Sequence, residues 1–191
     1  ALMPGNGYPA RLLLPGWEGN SSVKWLRRIE LAEQPFMTRE ETSKYTDPLG
    51  DGNTVRQFSF VMDARSIITD PAFPRVIEPG WHEIRGLAWS GRGRITAVDV
   101  SADGGTTWQA ATLQGPVLPK AHVRFRHRWE WGGEPAEIMS RATDETGYVQ
   151  PTWEALRAAR GPRTRYHQNP ITSWTVGDDG RVLFGAERLR S

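Results

Sequence analysis

Val123-Arg124-Phe125-Arg126-His127-Arg128-Trp129-Glu130-Trp131 alternates residue by residue. Val123, Phe125, His127, Trp129 and Trp131 take one face, while Arg124, Arg126, Arg128 and Glu130 take the other, in line with the preceding His122. A side-chain period of two belongs to a strand with one face in a core and one in water. The arginine row is therefore expected to be a solvated face or a contact between copies of the chain.

Shorter runs of the same kind lie on both sides of this stretch. Val55 to Met62, Ile84 to Trp89, Ile95 to Ser101, Thr106 to Ala110, Ala136 to Thr143, Ile171 to Val176 and Arg181 to Ala186 each read as a strand between turn signals. Twenty glycines, 14 prolines and nine tryptophans in 191 residues favour turn-rich β structure over a helical bundle. A set of about seven or eight short strands is what an immunoglobulin-like sandwich needs. Two helical segments interrupt the pattern. Thr38-Arg39-Glu40-Glu41 has the form of a capping box that starts a turn toward Tyr45, and Pro151 to Arg160 spaces Trp153, Leu156 and Ala159 by three before Gly161-Pro162 ends it. Residues 1 to 54 lack clean alternation and read as an irregular segment, set apart from a sandwich at 55 to 191.

Charge and composition narrow the function. The 24 basic and 22 acidic side chains leave +2, too small a field to expect a nucleic-acid partner. The longest aliphatic run, Leu12 to Leu14, is far too short for a membrane-crossing helix, and no membrane partner is expected. The chain opens at Ala1 with no basic leader or apolar signal core, which fits a mature, trimmed or partial product. With no cysteine, thiolate ligands and thiol nucleophiles are ruled out within it. His122 and His127 fall five apart on opposite faces, wrong for chelating a metal.

Three stretches carry chemistry. Between Arg11 and Lys24, Pro15-Gly16 and Gly19-Asn20-Ser21-Ser22 surround two cations with small residues and hydroxyls. Bare amides, hydroxyls and fixed positive charge suit a phosphate, although the spacing is not that of a P-loop and by composition alone an ordinary polar loop is the better reading. Tyr45, in the company of Ser43, Lys44, Thr46 and Asp47, offers a phenol beside a cation that can donate to an oxyanion. Ser101-Ala102-Asp103-Gly104-Gly105-Thr106-Thr107-Trp108 resembles the S-x-D-x-G-x-x-W box of sialidase-like propellers. A propeller needs repeated copies, so this single one is expected to be a pinned hairpin.

Asn6-Gly7-Tyr8-Pro9-Ala10-Arg11, Leu14-Pro15-Gly16-Trp17-Glu18-Gly19-Asn20 and Val23-Lys24-Trp25-Leu26 resemble, in order and spacing, the molybdopterin-binding segment of sulfite-oxidase-family enzymes. More narrowly, Pro15 to Trp25, Thr38 to Asp47, Gly86 to Arg94 and Ser140 to Pro151 look like the molybdenum subunit of bacterial sulfane dehydrogenases of the thiosulfate-oxidising Sox system. The resemblance covers essentially the whole chain but only the carboxyl-terminal part of such a subunit.

This resemblance implies a mainly β chain: residues 1 to 54 as the end of a molybdopterin-binding domain, and 55 to 191 as an immunoglobulin-like dimerisation domain. It implies that Arg11, Ser21, Ser22 and Lys24 hold the phosphate end of the pterin, with Asn6 where the family usually has a histidine. Tyr45 falls at the family's active-site tyrosine. Arg165-Tyr166-His167-Gln168-Asn169 stands in place of the W-N-x-R-G motif, leaving His167 as the candidate on that side. The family's metal ligand is a cysteine of an upstream domain, so the chain by itself is expected to be inactive and not to retain the molybdenum cofactor. The parent would oxidise sulfane sulfur on a carrier protein in the periplasm and pass electrons to a c-type cytochrome, as a homodimer. A sulfite dehydrogenase of the same family and a non-enzymatic immunoglobulin-like binding module are the alternatives.

Overall fold

The computed structural model describes residues 3–34, 36–48, 56–162, 164 and 166–185. Val55, Arg165, Ala186 and most of the Pro48 to Gly52 turn lie outside the described residues, as does the expected boundary at 54/55. Backbone contacts divide the chain into two compact units, Ala1–Met62 with Glu154–Gln168, and Asp63–Trp153 with Asn169–Ser191.

The second unit is the sandwich. Its four-stranded antiparallel sheet runs β3 (Arg65–Asp70), β4 (Gly80–Trp89), β8 (Val123–Trp131), β7 (Thr112–Gln114). Its five-stranded sheet runs β11 (Val182–Phe184), β10 (Ser173–Val176), β9 (Ala136–Asp144), β5 (Ile95–Ser101), β6 (Gln109–Ala110). The inner faces supply one apolar cluster, with Ile68, Ile84, Ala88, Val123 and Phe125 from the first sheet and Ile95, Val98, Val100, Ile138 and Ala142 from the second. A smaller cluster of Ile77, Trp131, Val176 and Val182 closes one end. The mainly β, immunoglobulin-like fold expected from alternation is the fold observed.

The strand read from 123–131 is present in full, paired with β4 along its length. Gly86 lies opposite Phe125 in this pairing, and a Cβ there would meet Ile67 O at 2.2 Å and Phe125 Cζ at 2.3 Å. The glycine is what lets the aromatic ring lie across the strand. The Asp103 hairpin is pinned as expected: Gly104 and Gly105 take φ of 69° and 88°, and Asp103 accepts from Thr107 N and Oγ1. Only Gln109 and Ala110 of its return limb pair with β5; two residues on, Thr112–Gln114 pair with β8 instead, so the chain crosses between sheets.

Other strand limits differ from expectation. β4 begins earlier, at Gly80, because Trp81 and His82 continue its pairing with β8; β10 begins later, at Ser173. β3 escaped the sequence reading since Ser66 is a buried polar residue on its inward face and blurs the alternation.

The 151–170 region makes an excursion from this sandwich. Ile171 N donates to Pro151 O at 2.9 Å, so the two ends of the excursion are hydrogen-bonded together. Within it, α2 (Trp153–Arg160) buries Leu156, while Trp153 and Ala159, expected on the same stripe, stay exposed.

In the first unit, regular structure is sparse. Two 3-10 turns (Pro4–Asn6 and Gly19–Ser21), α1 (Arg39–Lys44) and the pair β1 (Thr46–Pro48) with β2 (Arg56–Phe58) are its elements besides α2. The N-cap half of the capping box forms as read, with Thr38 Oγ1 accepting from Glu41 N, while Thr38 N donates to Phe36 O and not to the Glu41 side chain. Past β2 the expected strand to Met62 gives way to a single bridge of Val61 with Trp17, because the partner there is the Gly16–Glu18 turn and not an extended strand.

Candidate functional site

The anion loop is built by two arms lying side by side. Leu12 N donates to Val23 O at 2.9 Å, Leu26 N to Ala10 O at 2.9 Å, and Trp25 Nε1 to Pro4 O at 2.9 Å. At the hinge, Gly7 has φ of +108°, and a Cβ there would come within 3.1 Å of Lys24. A left-handed, crowded position of this kind selects glycine.

This packing brings Arg11 and Lys24 to one turn. Arg11 Nη1 donates to Asn6 O at 3.3 Å and Lys24 Nζ to Gly5 O at 2.9 Å. Both side chains are exposed, and neither forms an ion pair among the described residues, so their positive charge is uncancelled locally. Ser22 Oγ accepts from Leu14 N at 3.4 Å, which leaves its O–H to donate elsewhere; Ser21 sits in the Gly19–Ser21 turn beside it. The side chain of Asn6 makes no hydrogen bond among the described residues, where only its backbone N–H and carbonyl are engaged. Two uncompensated cations with adjacent hydroxyls are a donor set that fits a phosphate-bearing pterin tail.

Tyr45 ends α1 as its carboxyl-terminal cap and is half-buried. Its ring meets Tyr166 edge to face, with centroids 5.4 Å apart and planes at 70°. Two residues on, Asp47 is 1 % exposed and accepts from Tyr166 N at 2.8 Å, His167 N at 3.0 Å and Thr164 Oγ1 at 2.9 Å. A buried carboxylate is tolerable on these terms because amides and a hydroxyl replace its water. Beside it, Ser43, Lys44, Thr46, Pro48, Arg56 and Tyr166 share with Asp47 a cleft of about 480 Å³. Arg56 is oriented there by Nε donation to Thr46 Oγ1 at 2.6 Å.

His167 is 3 % exposed, with Nδ1 3.1 Å from Glu18 Oε1. Tyr166 donates its hydroxyl to Asn20 Oδ1 at 2.8 Å. Burial, followed by the negative fields of Glu18, Tyr45 and Asp47, raises the Tyr166 pKa well above that of a free phenol, so this hydroxyl stays a donor. Tyr45 and His167 thus come together within one unit, and Asp47, Tyr166, Glu18 and Asn20 join them. Sequence placed Asn20 in the loop and Asp47 beside Tyr45 but assigned no role to any of the four; their partners lie more than a hundred residues away along the chain, and no local spacing betrays such pairing. Among the described residues no cluster of His, Cys, Asp and Glu could hold a metal ion.

Residues 56–173 match the family described as the Mo-co oxidoreductase dimerisation domain, and residues 1–40 match the oxidoreductase molybdopterin binding domain. The chain belongs to the sulfite oxidase family of molybdenum oxidoreductases. Sulfite oxidase of Gallus gallus is 35% identical over 156 residues, covering 75% of this chain and 34% of the relative. The mitochondrial sulfite oxidase of Homo sapiens is 34% identical over 164 residues, covering 76% and 29%. The solved structure of the sulfane dehydrogenase SoxCD from Paracoccus pantotrophus superposes with a TM-score of 0.87 at 52% identity, covering 94% of this chain and 46% of that one. This family member therefore spans less than half the length of these relatives. Its anion loop falls inside the molybdopterin-binding match, the sandwich strands from β3 to β9 inside the dimerisation match, and Tyr45 in the interval between the two.

Proposed function

We propose that the chain is the carboxyl-terminal part of a periplasmic molybdenum sulfane dehydrogenase, which oxidises sulfane sulfur on a carrier protein and passes electrons to a c-type cytochrome. The observation that carries this reading is the likeness to the SoxCD sulfane dehydrogenase, 52% identical over 94% of the chain, against 35% for a sulfite oxidase. When bound, the molybdenum cofactor supplies oxygen-atom transfer, each oxygen taken from water and added to sulfur releasing two electrons and two protons.

The chain's own residues bind and orient. Arg11 and Lys24 neutralise the pterin's phosphate, Ser21 and Ser22 donate to it, and Asn6 contributes its amide at the edge of the loop. Tyr45 presents a hydroxyl donor to negative charge developing on the reacting oxygen. The ring of His167, turned to Glu18, supports that side of the site from within the fold. The sandwich joins two copies, and the outer face of the four-stranded sheet, with Arg85, Arg124, Arg126 and Arg128 beside Trp81 and Leu87, is the contact we favour.

Competition kinetics on the full-length parent decide the substrate. Carrier-bound sulfane is expected to outcompete sulfite in kcat/KM. Preference for sulfite makes the protein a sulfite dehydrogenase. The cofactor role is read separately: Arg11→Ala with Lys24→Ala should strip the pterin from the parent, and full retention would refute it.

A further inference from the structure

Tyr166 and His167 grip the anion turn from the same side. Tyr166 donates to Asn20, in the middle of the Gly19–Ser21 turn, and His167 pairs with Glu18, the residue that opens it. The backbone amides of the same two residues are both held by the Asp47 carboxylate, one on each oxygen. Asp47 stands two residues from Tyr45, whose ring lies against that of Tyr166. A continuous set of contacts therefore runs from the Ser21–Ser22 hydroxyls through Asn20 and Glu18, Tyr166 and His167, and Asp47 to the active-site phenol.

We propose that Tyr166 is a positioning residue that locks the anion turn to the α1–β1 junction carrying Tyr45, so that the loop holding the cofactor tail and the phenol facing the reaction keep one spacing. The segment joining them is short and its atoms are over-determined. Asp47 holds the main-chain amides of 166 and 167, and from there both side chains reach the turn. The Tyr166 hydroxyl remains protonated throughout the working pH range and so donates to Asn20 without interruption. A pterin tail on Ser21 and Ser22 would order the turn further, and this order reaches Tyr45 through contacts already made.

The inference rests on the reading of the turn as a cofactor site, and the test separates the two. In the metal-loaded full-length protein, Tyr166→Phe and Asn20→Ala each remove the same hydrogen bond. The rate of pterin release, followed by the fluorescence of the freed pterin, is expected to rise about fivefold in either variant, the worth of one hydrogen bond. The double variant should release no faster than the singles, since both have lost one shared contact. Tyr166→Leu also takes the ring from Tyr45 and should alter the paramagnetic resonance spectrum of the metal, which general loss of stability leaves alone. Release unchanged in Tyr166→Phe and Asn20→Ala, effects that multiply to about twenty-five-fold in the double variant, or a Tyr166→Leu spectrum superimposable on wild type overturns the proposal. Release unmoved by Arg11→Ala with Lys24→Ala refutes the cofactor reading instead.

Discussion

Gln150 Oε1 accepts the backbone N–H of Ser66 at 2.8 Å, across 84 residues of chain and between the two sheets of the sandwich. The same oxygen takes the Ser66 hydroxyl at 2.8 Å and Ala142 N at 3.2 Å, and Nε2 donates to Pro170 O at 3.1 Å. Ser66 lies on β3, the edge of the four-stranded sheet, so the amide supplied by Gln150 stands where a neighbouring strand would be.

Gln150→Leu leaves two buried amides and a hydroxyl without that acceptor. The expected loss is on the order of 3 kcal/mol, read as a lower urea midpoint at unchanged slope. A midpoint equal to wild type would mean that water or a rearranged Ser140 takes over.

Gly86→Ala forces a methyl into Ile67 O and the Phe125 ring. Overpacking at such a site costs ~1–3 kcal/mol. The double variant Gly86→Ala with Phe125→Leu should recover part of the loss, and thermal melts of the four proteins measure the coupling.

Asp103 titrates at about 2, held down chiefly by the Thr107 hydroxyl and amide and by the Ser101 hydroxyl. Its folded pKa lies below the ordinary carboxylate value of 3.8, so its support for the hairpin is complete above that value and lost as pH falls through about 2. Hydrogen-exchange protection of the Thr107 amide should fall over this window. In Asp103→Asn, protection should be weaker and the acid step should vanish.

Arg126 is exposed at the centre of the outer face of the four-stranded sheet, between Arg85 and Thr112. Arg126→Glu is expected to shift a dimer toward monomer in sedimentation equilibrium, because an interface of about 1,600 Å² would bury the reversed charge in each copy. A dimer of undiminished affinity would move the contact to another face.

The sandwich was legible where one residue in two is apolar over a long run, as from Val123 to Trp131, and where a turn has an obligatory chemistry, as at Asp103-Gly104-Gly105. β3 was not, since its inward positions mix Ser66 with Ile68 and depend on Gln150 to make the serine bearable. The anion loop and Tyr45 stood out by residue type. Tyr166 and Asp47 did not, because their roles arise from contacts made 119 residues apart, which tertiary structure alone creates.

The hydrogen bond from Ile171 to Pro151 has a practical corollary for protein engineering. Residues 154–168 form a cassette whose entry and exit are already stitched together, so a few glycines could replace them without opening the host. Cutting after residue 54 alone would leave that cassette grafted on a chassis deprived of its counterpart. A minimal, well-behaved sandwich requires the second splice.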